Sequence, residues 1–155
     1  MDIFTGRQAM ITDELYYRHF SLAQIENRIY AEWCKKRGIS YSWLLILDMI
    51  FRATDDIEPA MISDSLFIPR QTMTSLLDQM EKNGLIVRQR SQTDRRRINL
   101  SLTEKGQETI VGILKELAVQ ENIIVGEISR EKMAVFNEIY ADIVSRLKSR
   151  LMNGD

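Results

Sequence analysis

The segment 59–102 limits the possible folds most strongly, because two short helical patterns are followed there by an alternating, strand-like pattern. Apolar residues recur at helical spacing over about 59–66 and again over 69–83. After Gly84, apolar and polar residues alternate on both sides of the polar stretch 91–94, which predicts a β-hairpin. The segment therefore predicts two short helices joined by a turn and followed by a two-stranded hairpin.

Long helical patterns flank this segment. Residues 12–37 carry apolar side chains at steps of three and four, with Thr12 as the predicted N-cap. A nearly all-apolar helix follows over about 40–51, another begins after the cap Thr103, and a last one begins after the cap Ser129. Only seven glycines and two prolines occur in 155 residues. We predict a mostly α fold with one small β-hairpin wing, a winged helix-turn-helix with long N- and C-terminal helices.

The composition argues against an enzyme. The chain has one histidine, His19, and one cysteine, Cys34, so a Cys/His zinc site would need carboxylates to complete it. All seven glycines are isolated and no serine lies in a G-x-S-x-G turn, so the usual phosphate-binding loops and hydrolase nucleophiles are absent. We therefore predict no catalytic residues, no metal and no cofactor.

The sequence also predicts a cytoplasmic protein. Its first residues show no basic stretch followed by an apolar core, as a signal peptide would. The longest apolar runs, such as 43–47, are far shorter than the ~20 residues of a membrane-spanning helix. A single cysteine cannot form an intramolecular disulfide, which fits a reducing compartment.

The positive charge of the hairpin stands out against the whole chain, whose formal charge is −1. Residues 88–97 contain five arginines against one aspartate, a net charge of +4. A run of arginines alone is usually a solvated turn. Here, however, the run follows a predicted helix whose first turn carries residue types that hydrogen-bond to DNA bases. The predicted DNA-binding residues are Arg70, Gln71, Thr72, Thr74 and Ser75 on the helix, and Arg90, Arg95, Arg96 and Arg97 on the hairpin.

Over nearly its whole length the sequence resembles the MarR family of bacterial transcription regulators, most densely in 69–106. The D-x-R segment at 94–96, followed by L-T-E-K-G at 102–106, is rather specific to that family. The resemblance implies that Arg96 enters the minor groove and that Asp94 orients neighbouring arginines.

The resemblance further implies a homodimer that binds a pseudo-palindromic double-stranded operator, most simply as a ligand-responsive repressor. Residues 1–39 and 107–155 would form the helical dimerisation region, and residues 40–106 the DNA-binding region. The sequence departs from the family at Phe67, where glycine is frequent, and at Pro69, where a Ser or Thr cap is common.

Several alternatives stay open at this point. The chain could be a winged-helix protein-interaction module, an anti-repressor that does not bind DNA. Tyr16, His19 and Trp43 could line a pocket for a phenolic effector, although such a set is more often plain core. Cys34 could be a redox switch if Lys35, Lys36 and Arg37 lower its pKa, although a lone helical cysteine is more often an inert packing residue.

Overall fold

The computed structural model describes residues 13–90 and 97–153. By their internal packing the residues divide into two compact units, Met1–Ile110 and Val111–Asp155. The elements in chain order are α1 (Glu14–Lys35), α2 (Tyr41–Arg52), α3 (Pro59–Ser65), α4 (Arg70–Lys82), β1 (Ile86–Arg90), β2 (Ile98–Leu102), α5 (Glu104–Gly126), α6 (Arg130–Lys148) and a π-helical turn (Ser149–Asn153). The prediction of a mostly α chain with one small hairpin is confirmed.

Side-chain caps start several helices. The hydroxyls of Ser40 and Ser129 accept hydrogen bonds from the backbone N–H groups three residues later, at 3.1 and 3.2 Å, as predicted for N-caps. The prediction of Thr12 as the first cap was wrong. The Asp13 carboxylate accepts a bond from the Tyr16 N–H at 2.8 Å and caps α1, while Thr12 lies outside the described residues.

Three helices end with the same hydrogen-bond pattern, in which an N–H group after the helix donates to the carbonyl five residues earlier. The donor and acceptor pairs are Ile39 to Cys34 (3.3 Å), Ile68 to Ser63 (3.0 Å) and Leu85 to Met80 (3.0 Å). The residue before each donor has a positive φ: Gly38 (75°), Phe67 (52°) and Gly84 (68°). Glycine thus ends α1 and α4, as it commonly does at this position, and α3 ends in the same way without glycine.

The hairpin is antiparallel, with Ile86 opposite Leu102 and Arg90 opposite Ile98. A short additional pairing, which the sequence analysis missed, joins the hairpin to the loop before α3. The Leu100 N–H donates to the Ile57 carbonyl at 2.9 Å. This bond attaches the second strand to the residues that lead into α3.

The core of the first unit forms around α2 and α4. The predicted all-apolar helix α2 is central, since four of its residues are buried. The buried core includes Leu44, Ile46, Leu47 and Ile50 of α2, Ile62 of α3, Met73, Leu77 and Met80 of α4, and Ile86 and Leu100 of the hairpin. These contacts fix α4 by one face and leave its other face to solvent.

Many large apolar side chains are nevertheless exposed. On α1 the exposed set is Leu15, Phe20, Leu22, Ile25 and Ile29, each more than half exposed. In the second unit, α6 has no buried residue. Its exposed apolar residues are Val135, Phe136, Ile139, Tyr140, Val144 and Leu147. Among the helices of residues 13–90 and 97–153, none has the length and hydropathy that crossing a membrane would require.

Candidate nucleic-acid interface

The turn between α3 and α4 is held by reciprocal hydrogen bonds. The buried Ser63 hydroxyl donates to the Ile68 carbonyl at 2.6 Å, while the Ile68 N–H donates to the Ser63 carbonyl at 3.0 Å. Pro69 then occupies the N-cap position of α4, where the family commonly has Ser or Thr, and provides no side-chain cap. No side chain caps the first turn of α4. Its first backbone N–H groups can therefore donate to an external anion.

The two faces of α4 divide as predicted. Met73, Leu77 and Met80 are buried and anchor the helix. The polar residues of its first two turns are exposed, namely Arg70, Gln71, Thr72, Thr74 and Ser75. The structure therefore brings all five predicted helix residues to one solvent-facing start of α4.

Arg70 is already paired within the protein. Its Nη2 atom lies 2.8 and 2.9 Å from the two carboxylate oxygens of Asp64. The pair is exposed, with side-chain exposures of 56% and 73%, so it contributes little to stability and can exchange for another partner. The sequence analysis missed this contact, because it joins α3 to α4 across the turn.

Arg88 connects the hairpin to α4. Its guanidinium donates to the Asp78 carboxylate at 2.6 Å and lies 3.5 Å from Glu81, and its backbone N–H donates to Glu81 at 3.3 Å. The residue is half-buried. We counted Arg88 in the positive charge of the hairpin, but its ion pairs make it a brace between β1 and α4. The three-residue spacing of Asp78 and Glu81 on one helix face is the sequence signal that could have indicated this.

The remaining hairpin residues are only partly described. Arg90 at the end of β1 and Arg97 just before β2 are both exposed, and Arg97 lies 3.4 Å from the Glu58 carboxylate. Asp94, Arg95 and Arg96, predicted for the hairpin tip, lie outside the described residues.

The predicted effector pocket stays a prediction. Tyr16 and His19 approach each other on α1, with ring centroids 6.2 Å apart, and Trp43 is half-buried on α2. Two open clefts in the first unit are lined by other residues: one of about 720 Å³ between the end of α2 and β2, and one of about 700 Å³ between α1 and the start of α2.

Within residues 13–90 and 97–153, no three His, Cys, Asp or Glu side chains are grouped to hold a metal.

Cys34 does not have the environment that the redox hypothesis required. Its side chain is completely buried, and this burial raises the pKa of the thiol, an effect that the nearby Arg37 only partly offsets. The predicted lowering of the pKa was therefore wrong, because desolvation penalises the thiolate more than the cation favours it. Arg37 instead stacks on Trp33, with its guanidinium carbon 3.5 Å from the ring centroid.

Comparison with known proteins agrees with this geometry. Residues 37–97 match the sequence model of the MarR family. The transcriptional repressor YetL of Bacillus subtilis is 24% identical over 135 residues, 86% of this chain and 81% of YetL. The repressor MprA of Escherichia coli is 32% identical over 62% of this chain, but the match spans only 54% of MprA.

A solved structure extends the likeness to the fold. Streptococcus pneumoniae FabT, crystallised in complex with DNA, superposes with a TM-score of 0.71 at 26% identity, covering 87% of this chain and 98% of FabT. The anchored helix α4 and the hairpin braced beside it give the winged-helix fold of the solved structure, and residues 37–97, which include α4 and the first strand of the hairpin, match the MarR family of transcription regulators.

Proposed function

We propose that the protein binds duplex DNA sequence-specifically, with the start of α4 in the major groove and the hairpin in the adjacent minor groove, and thereby regulates transcription as a repressor. The observation that carries this proposal is the Arg88 brace. Its bonds to Asp78 and Glu81 hold β1 beside α4, which supports an arrangement in which the exposed helix start and the hairpin face the same duplex. This is the arrangement that a winged helix presents to DNA.

The chemistry of this surface suits an anionic, base-bearing partner. Arg70 and Gln71 have the donor geometries that read guanine and adenine in the major groove. Arg90 and Arg97 add positive charge at the base of the hairpin, where phosphates would lie. The uncapped N–H groups at the start of α4 complement these side chains as donors to a phosphate.

The exposed apolar faces support a homodimer built from residues 1–39 and 107–155, with 40–106 as the DNA-binding region. Both α1 and α6 expose rows of large apolar side chains, which soluble monomers rarely leave in water. Two copies would present two α4 helices to a pseudo-palindromic operator, with half-sites about one helical turn apart, roughly 34–36 Å.

A small-molecule effector, phenolic by the family likeness, would act by favouring a different spacing of the two α4 helices. A ligand that binds this second arrangement better reduces DNA affinity by a shift of population. Titration of the DNA complex with a panel of phenolic compounds and oxidants tests this step. If no compound releases the DNA, the effector part of the proposal is wrong.

The direct test is selection of binding sites from a random duplex library, followed by gel shifts with the selected site and a scrambled control. We expect tight binding to the selected site and much weaker binding to the control. Equal, weak binding to both duplexes would contradict the proposal and favour the protein-interaction module.

Two substitutions separate the roles within this surface. We expect Arg96→Ala to weaken binding to all sequences and to flatten the salt dependence, because one positive charge that faces the DNA is lost. We expect Gln71→Ala to cost about 1–3 kcal/mol on the selected site and to relax the preference at one base position. Binding isotherms at several salt concentrations measure both effects. If neither variant changes affinity at any salt concentration, the docking arrangement is wrong.

We expect Asp64→Asn to tighten DNA binding, because Asp64 competes with DNA for Arg70. An exposed ion pair is worth up to about 1 kcal/mol, so the gain is roughly two- to fivefold for each half-site. Asp48→Asn is the matched control, since it removes the same charge from the Asp48–Arg52 pair on α2. Equal affinities of the two variants in titrations at one salt concentration would show that Arg70 does not change partner.

A further inference from the structure

Phe67 has a backbone conformation that its side chain disfavours. Its φ of 52° lies in the left-handed region, where a β-carbon crowds the following carbonyl. The two other helix ends with the same hydrogen-bond pattern place glycine at this position, Gly38 and Gly84. Among these three ends, only α3 accepts the strain of a bulky residue.

Packing within the protein does not compensate for this strain. Phe67 is 86% exposed, the highest value among the exposed large apolar residues of the described chain. An aromatic ring in water gains none of the free energy of burial. The ring thus stabilises neither the turn nor the core of the free protein.

Hydrogen bonds of the turn fix the position of the Phe67 backbone. The Phe67 N–H donates to the Asp64 carbonyl at 3.4 Å, and the Ser63–Ile68 bonds close the turn on either side. Phe67 therefore follows the carboxylate that holds Arg70 and precedes Arg70 itself by three residues. Phe67 therefore lies in the turn that leads into the exposed start of α4.

We propose that Phe67 is a specificity-determining residue whose ring contacts the 5-methyl group of a thymine in the major groove, next to the base pair that Arg70 reads. This inference rests on the proposed function, since it needs α4 to enter that groove. A neutral ring offers nothing to a phosphate, whereas the thymine methyl is the apolar group on the base edges of the major groove. The contact would bury an exposed ring and so offset the strain of the turn.

The test combines variants with a modified duplex. In the selected binding site, each thymine is replaced in turn by deoxyuridine, symmetrically in both half-sites, so that only the methyl group is lost. For the unaltered protein we expect one such replacement to weaken binding about fourfold per half-site, the effect of one buried methyl-sized group. Phe67→Gly binds the thymine duplex roughly tenfold more weakly per half-site and is insensitive to that replacement. Phe67→Tyr retains the ring and the sensitivity.

Thermal unfolding distinguishes this role from a structural one. Glycine tolerates the left-handed conformation, so Phe67→Gly unfolds at the same or a higher temperature while it binds DNA more weakly. Full affinity with retained sensitivity to deoxyuridine in Phe67→Gly would overturn the inference and leave the proposed function intact. If the unaltered protein selects no duplex at all, the proposed function fails and this inference fails with it.

Discussion

Replacing Gly106 with alanine is expected to lower the free energy of unfolding by about 3 kcal/mol or more, the upper range for forcing atoms into a packed site. A β-carbon at this position would overlap the backbone carbonyl of Leu85, which is buried and already accepts a bond from the Thr103 N–H at 3.0 Å. Because the obstacle is backbone, no side-chain rotation relieves it, and the junction between α4, the hairpin and α5 must shift.

Gly112→Ala is the matched control, since it adds the same methyl group to the same helix with nothing within 4 Å. We expect this control to stabilise the protein by about 0.5–1 kcal/mol, because alanine favours a helix interior over glycine. Denaturant unfolding at one protein concentration measures both variants. DNA binding should weaken in Gly106→Ala alone. Equal stabilities of the two variants would mean that α5 does not approach Leu85 as closely as the structure has it.

Local chemistry made much of the fold predictable. Ser40 and Ser129 cap their helices, and Gly38 and Gly84 end theirs, because each effect acts within a few residues of sequence. Thr103 likewise caps α5 by accepting a bond from the Gly106 N–H at 2.9 Å. In the sequence Gly106 stands three residues after this cap, where a capping box would have Glu or Gln. The structure gives another reason for glycine there, namely the approach of Leu85, which only tertiary structure reveals.

The sequence predicted where the residues of the candidate site lie, but not which residues they form ion pairs with. The polar start of α4 and the basic hairpin follow from helical and alternating periodicity, and α4 exposes the predicted residues. The ion pairs of Arg70 with Asp64 and of Arg88 with Asp78 join different elements, so no local pattern predicted them. For Cys34 the charged neighbours were visible in the sequence, but the larger effect, burial, was not.

Phe136→Asp is expected to dissociate the proposed dimer and to weaken operator binding by about 100-fold or more. Phe136 is 53% exposed and stacks on Tyr140 at 5.8 Å within the apolar row of α6. A carboxylate placed in an apolar interface loses its hydration without gaining a partner. A monomer then binds each half-site separately and loses the gain of linked binding, which is worth about 10²–10⁴ in affinity.

Because α6 has no buried residue, we expect Phe136→Asp to leave the core of the monomer intact and its helical content unchanged. Ser145→Asp is the control: nine residues further along the helix, it projects about 180° away from Phe136, is exposed, and gains the same charge. Sedimentation equilibrium and gel shifts on the selected operator measure assembly and binding together. We expect Ser145→Asp to stay dimeric and to bind normally. A dimeric, DNA-binding Phe136→Asp protein would show instead that the apolar row of α6 lies outside the interface between the two copies.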